Sequence, residues 1–261
     1  MSLSRRVVIA ALALVLVATL TPAPVAMAGG DNWRPRAAAA TRYLKSRQGQ
    51  VSWAAINEKG RIWGHHRHRT VDSVSVVKAM LLATYLRMGS VRDRPLREWE
   101  KDLLGPMIKR SNNAAASRIR DMVGHRRIKR LARDAGMRNF RVVQPWGLSQ
   151  ITARDQVRFF YRYERFVPRR HEDYARYLLS HVIESQRWGL ARFVDRRLKD
   201  WKIFFKGGWG SATGRYCHQV AWLQKRGRRI AVAIMIEYSP NHRYATRTQQ
   251  GVARKLMRNL R

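Results

Sequence analysis

Carboxylates are scarce in this chain. Seventeen Asp and Glu face 53 Lys and Arg, giving a formal charge of +36 over 261 residues. That excess excludes a charge-balanced surface and predicts salt-dependent attraction to polyanions. The cations are scattered, as at Arg118, Arg120, Arg126, Arg127 and Lys129, and form no recognisable nucleic-acid module. They read first as a solvated arginine-rich surface. The partners this implies are anionic wall polymers or lipid headgroups, met nonspecifically, and no specific nucleic acid.

Cysteine is nearly absent too. The single Cys217 excludes an intrachain disulfide, and its strand-like context, Arg215 to Leu223, marks it as a small buried hydrophobe with no motif framing it for catalysis. His65, His66 and His68 form the one histidine cluster. On a strand end this spacing splits the rings between faces, with no Cys or Asp nearby to complete a metal site. No internal repeat, low-complexity tract or long linker is present. Only one run is apolar enough to suggest a membrane, and it lies at the start.

That run, Val7 to Leu20, follows Arg5 and Arg6 and precedes Ala26-Met27-Ala28: a basic start, an apolar stretch and a small-x-small cleavage site. Residues 1–28 are therefore expected to be a secretory signal and 29–261 one exported domain. Removing the signal deletes Arg5 and Arg6 and no acid, leaving +34. Ser4-Arg5-Arg6-Val7-Val8 also fits a twin-arginine route. An uncleaved anchor is the alternative, disfavoured by the run's shortness and by Pro22 and Pro24 behind it.

The periodicity predicts a first helix over 35–45, then a hairpin of 51–57 and 61–65 around Glu58-Lys59-Gly60. Residues 78–87 are apolar nearly all round and read as a buried helix. Helical patterns follow over 96–107, 113–122 and 125–135, after Thr152, and near 171–184. Strands return at 203–206, 216–223 and 230–237, with Lys225-Arg226-Gly227 as a turn, before a last helix over 246–260. Strands at both ends with helices between exclude simple βαβ repeats. The expected fold is α+β: one antiparallel sheet from both chain ends, with a helical lobe inserted.

Three ordered clusters carry chemistry: Ser75-Val76-Val77-Lys78, Ser111-Asn112-Asn113 and Lys206-Gly207-Gly208. The first sets a hydroxyl nucleophile one helical turn from an amine. A serine without a histidine needs another base, and a lysine whose pKa is lowered by burial can serve. The second supplies a further hydroxyl and an amide. The third sets a lysine on a strand before glycines that let a substrate approach the backbone. Taken singly, Ser75 could be a helix-start residue, Lys78 a surface cation, Ser111 an N-cap and Lys206-Gly207-Gly208 a strand end.

In this order, over roughly residues 33–261, the set resembles the penicillin-interacting serine enzymes: class A β-lactamases and their D-alanyl-D-alanine peptidase relatives. Pro106-Met107-Ile108 ahead of Ser111, Ile151-Thr152-Ala153-Arg154-Asp155, and Trp188-Gly189-Leu190 ahead of Trp201 are similar to the family's flanking segments. The resemblance implies acyl transfer at Ser75. Lys78 would take the proton directly or through Ser111, Asn113 would hold Lys78 or a substrate amide, and Lys206 would attract a substrate carboxylate. The oxyanion hole would be the N–H of Ser75 and of a residue just after Gly208, either Trp209 or Gly210. The substrate would be a β-lactam or a peptidoglycan-like peptide, the enzyme a monomer, and no metal or organic cofactor is implied.

The chain departs from the family's pattern. Asn112 stands where Asp is usual and Gly207 where Thr is usual, and the stretch between the first two motifs is shorter. Residues 137–150 contain no carboxylate, whereas in class A β-lactamases a glutamate in this stretch activates the water that hydrolyses the acyl-enzyme. Slow deacylation is expected. The competing class is a non-catalytic exported wall- or polyanion-binding protein on a degenerate fold of this kind.

Overall fold

Alternation along the central strands builds the molecule, seen in a computed structural model that describes residues 33–210 and 215–260. The signal expected over 1–28 lies outside the described residues. Five strands form an antiparallel sheet: β1 (Gln50–Ile56), β2 (Ile62–His65), β5 (Lys202–Trp209), β6 (Tyr216–Lys225) and β7 (Arg228–Glu237). Their order is β2-β1-β7-β6-β5, so the two chain ends meet where β1 pairs with β7, Trp53 opposite Ile234. The turn joining β6 to β7 places Arg226 and Gly227 at φ 44° and 78°, the left-handed pair that suits a two-residue hairpin.

Along β7, Ile230, Val232, Ile234 and Ile236 join one core, while Ala231, Ala233 and Met235 join the other. This is the period-two pattern of a strand buried on both faces. The first core is closed by α1 (Trp33–Leu44), α7 (Gly189–Arg197) and α8 (His242–Leu256). The second lies under the inserted lobe: α2 (Lys78–Leu86), α3 (Glu98–Lys109), α4 (Asn113–Asp134), α5 (Ala153–Tyr161) and α6 (Glu172–Ser180). Every residue of α2 is buried. In α4, Gly124 leaves helical geometry at φ 68°, ψ 158°, so the two helices expected over 113–122 and 125–135 are two segments broken by a glycine kink.

Two elements were not legible locally. A two-stranded sheet of β3 (Thr70–Asp72) and β4 (Gln150–Thr152) ties the residues before Ser75 to the segment before α5, with Val71 opposite Ile151. Helix α7 is the other; five of its nine residues are charged or glycine, and it forms because Leu190, Ala191 and Val194 bury on one face.

Candidate active site

Ser75 sits in a single 3-10 turn, Val74–Val77, that runs straight into α2. Before it, Val74 has φ 40°, a left-handed conformation that is costly for a β-branched residue and is held only by the surroundings. Those surroundings are β5. A Cβ added at Gly208 would lie 2.6 Å from Val74 Cγ2, 2.9 Å from the Ser75 nitrogen and 3.0 Å from that of Val76. Glycine at 208 thus lets strand and nucleophile turn touch backbone to backbone. No hydrogen bond engages the Ser75 N–H or its hydroxyl among the described residues.

Lys78 opens α2 and is fully buried. Its Nζ donates to Asn113 Oδ1 at 2.7 Å, to Ser111 Oγ at 3.2 Å and to the Ser111 carbonyl. Ser111 is held at φ 57°, which turns both oxygens toward the amine. The N-cap of α4 is Asn112, whose Oδ1 accepts from Ala115 N at 2.8 Å, not Ser111. Asn and Asp cap a helix almost equally well, so Asn112 costs the second motif nothing in local structure.

Lys206 arrives from β5. Alternation sends Phe204, Lys206 and Gly208 toward the inserted lobe. Lys206 is fully buried, and its Nζ donates to Ser111 Oγ at 3.0 Å and to the Gly207 carbonyl at 2.8 Å. Two amines thus share one hydroxyl, with no carboxylate paired to either among the described residues. Burial lowers the Lys78 pKa to about 7. Lys206 is pushed well below the usual lysine range, by burial first and by the charge of Lys78 second. Burial of Lys78 itself, rather than a charge on Lys206, gives this amine a neutral fraction near pH 7.

The Gly210 N–H donates to the Tyr216 carbonyl at 3.2 Å, which commits it to the ladder with β6. Trp209 faces Cys217 in register, so antiparallel alternation turns its N–H outward from β5, an edge strand.

Two residues of the site carried no motif signal. Trp146, in a 3-10 turn packed near Ser75, lies with its ring centroid 4.9 Å from Lys78 Nζ and its Nε1 donating to Ser117 Oγ at 3.0 Å. Trp188 covers Gly207: a Cβ there would come within 3.1 Å of the indole, which explains glycine at the usual threonine position. The acids are occupied elsewhere. Asp155 accepts from Asn139 N at 3.1 Å, and Asp72 accepts from Tyr216 Oη at 2.7 Å and from Gln150. Glu184 is exposed in a 3-10 turn. Cys217 is buried in β6, where burial pushes its thiol pKa up. Among the described residues no group of three His, Cys, Asp or Glu is placed to hold a metal, and no helix is long and apolar enough to cross a membrane.

A family model described as the β-lactamase enzyme family matches residues 99–260, a span that includes Ser111, Asn113 and Lys206 and begins after Lys78. The fold is similar to a β-lactamase from Sphaerobacter thermophilus, at 18% identity and TM-score 0.72 over 87% of this chain and 96% of that one. It is similar also to a class A β-lactamase from Mycobacterium abscessus, at 16% identity and TM-score 0.72 over 86% and 99% of the two chains. A β-lactamase from Xanthomonas campestris matches at 15% identity and TM-score 0.72 over 86% and 97%. No curated protein matches the chain. The antiparallel sheet from both chain ends, the inserted helical lobe and the matched span agree: this chain belongs to the β-lactamase enzyme family.

Proposed function

We propose that the chain is an exported active-site-serine hydrolase that forms an acyl-enzyme at Ser75 with β-lactams or peptides ending in D-alanine, and releases it slowly. The observation that carries this reading is the convergence of Lys78 and Lys206, from segments 128 residues apart, on the Ser111 hydroxyl at 3.2 and 3.0 Å. Burying two amines without counter-charges costs stability, and sites that accept such a cost use it to hold a base neutral at working pH.

In the acylation step the Ser75 hydroxyl oxygen bonds to the substrate carbonyl carbon while its proton passes to Lys78, directly or through Ser111. The N–H groups of Ser75 and Trp209 receive the developing oxyanion. Collapse breaks the bond to the leaving nitrogen, which takes a proton returned from Lys78 by way of Ser111. Asn113 fixes Lys78, and Lys206 hydrogen-bonds the substrate carboxylate. Deacylation needs a base beside a water. The segment 137–150 offers none, and the side chain it lays on Lys78 is the indole of Trp146.

The test is gel labelling with a fluorescent penicillin. Stable labelling of the wild type that disappears in Ser75→Ala supports the proposal. A folded wild type left unlabelled over hours refutes it and favours a binding protein on a catalytically silent fold.

A further inference from the structure

On the face of the sheet away from Lys78, α7 packs on α8 and α8 on α1. Between α7 and the end of α8 lies a concavity of about 560 Å³ rimmed by Arg192, Arg196, Arg197, Arg254 and Arg258. A second, of about 310 Å³, opens between α1 and the same end of α8 and adds Arg36, Arg42 and Lys255. Both are lined by Arg258 and Asn259, so the two adjoin at the end of α8 and are together termed the trough. Among the described residues no acidic side chain lines either part.

The acids nearest α7 along the sequence are engaged elsewhere: Asp195 is held by Arg187 at 2.7 and 2.9 Å, and Asp200 by Lys225 at 3.0 Å. None of the five rim arginines enters an ion pair among the described residues, and all five are exposed. Elsewhere arginines do find partners, as Arg94 does with Glu100 at 2.7 Å and Arg228 with Glu58 at 2.6 Å. The five exposed rim arginines, set around a concavity and without ion-pair partners among the described residues, favour an anion by their electrostatics. Arg192 and Arg196 stand one turn apart on α7, Arg254 lies in the last turn of α8, and Arg258 follows two residues beyond its end. Guanidinium groups from α7 and from the end of α8 thus rim the trough, and guanidinium binds phosphate in a bidentate fashion.

Three anionic partners have this charge, and the surface separates them. A bilayer is broad and flat and is gripped by protruding apolar side chains, yet the large exposed ones, Trp99, Val143, Leu148, Tyr177 and Tyr238, lie outside the trough. Single-stranded nucleic acid is held by bases stacked on several exposed aromatics, whereas the described lining of the trough offers one ring, Phe193, half-buried and packed against the core. We propose that the trough of α1, α7 and α8 binds a linear phosphate polymer that has no stacking bases.

The test measures binding of medium-chain inorganic polyphosphate to the whole protein at several salt concentrations. Arg196→Gln/Arg254→Gln/Arg258→Gln is compared with Arg165→Gln/Arg169→Gln/Arg170→Gln, which removes equal charge from exposed positions on the inserted lobe. The trough variant should bind at least about tenfold more weakly near 0.1 M salt, and the slope of log K against log salt should shrink by about two to three. The lobe variant should stay within about twofold of wild type. Equal losses in both variants, or no binding by wild type, overturn the proposal. So does tighter binding, through the same three arginines, of phosphatidylglycerol vesicles or of oligothymidylate.

Discussion

Lys78 and Lys206 approach the Ser111 hydroxyl at 3.2 and 3.0 Å, and among the described residues neither meets a carboxylate. Two buried amines this close cannot both carry full charge, so their protons leave in steps that belong to the pair. Burial brings Lys78 to about 7, and in the proposed acylation only its neutral form would accept the Ser75 proton. Acylation should therefore rise with pH, approaching tenfold per unit below about 7, and level off above it. Stopped-flow acylation rates across pH 5.5 to 9 would report this, and a flat profile would exclude Lys78 as base. Lys78→Ala should slow acylation at least about a hundredfold; a variant as fast as wild type would reassign the role. The placement of Ser75 and Lys78 was legible because they are three apart on a helix start, a spacing that brings them together before any tertiary contact. Trp146 and Trp188 were not legible as site residues. Each reaches the site by packing across the fold, and a tryptophan in a sequence does not announce which surface it covers.

At the scale of elements, the close contact between β5 and the 3-10 turn of Ser75 is where the proposed acylation is most exposed to a small displacement. A side chain at 208 meets the Ser75 and Val76 nitrogens at 2.9 and 3.0 Å, backbone atoms that cannot step aside as a flexible side chain would. Gly208→Ala should fold but displace the turn, lowering acylation by at least about tenfold, since a misplacement of even 1 Å costs up to about a hundredfold. Unchanged acylation would show the turn to be compliant. In the inserted lobe the strongest polar anchor is Glu100 at the start of α3. It is fully buried and accepts from Arg94 at 2.7 and 2.8 Å, from Tyr85 at 2.7 Å and from the Arg97 N–H at 2.6 Å. Burial alone would raise its pKa, but these donors outweigh it and hold the carboxyl at about 2. A folded-state pKa below the unfolded value contributes stability that is present above about pH 4.5 and is lost as pH falls toward 2. Glu100→Gln should cost about 3 kcal/mol at pH 7 and progressively less below pH 4 by urea unfolding; a pH-independent loss would mean that shape, not charge, is what the site needs. Helices and strands with strong local periods were legible, down to the break at Gly124. The pair β3 and β4 was not, because its strands are three residues each and gain their pairing only from a contact across about eighty residues of chain.

For the whole molecule, order of motifs and order of elements pointed the same way: strands at both ends, helices between, and a site where the two parts meet. The sheet order β2-β1-β7-β6-β5 satisfies that expectation because Val51, Trp53 and Ala55 on β1 share a core with Ile230, Val232, Ile234 and Ile236 on β7. Composition gave the excess of charge but not its placement; only the fold gathers arginines from α1, α7 and α8 along one trough. Export is the second expectation at this scale. The arrangement of Arg5, Arg6, Val7 to Leu20 and Ala26-Met27-Ala28 predicts a secreted chain beginning at Gly29. Intact mass of the secreted protein checks it, and full-length protein held tightly in membranes would establish an anchor instead.

The central claim, a serine that acylates readily and deacylates slowly, is tested most directly by rapid mixing with nitrocefin. Expected is a burst in which one β-lactam ring is opened per protein as Ser75 is acylated, absent in Ser75→Ala, followed by turnover about 10² to 10⁴ slower than an enzyme with a positioned base would show. Steady turnover of many molecules per second, with no burst, would contradict it by revealing a base for the water.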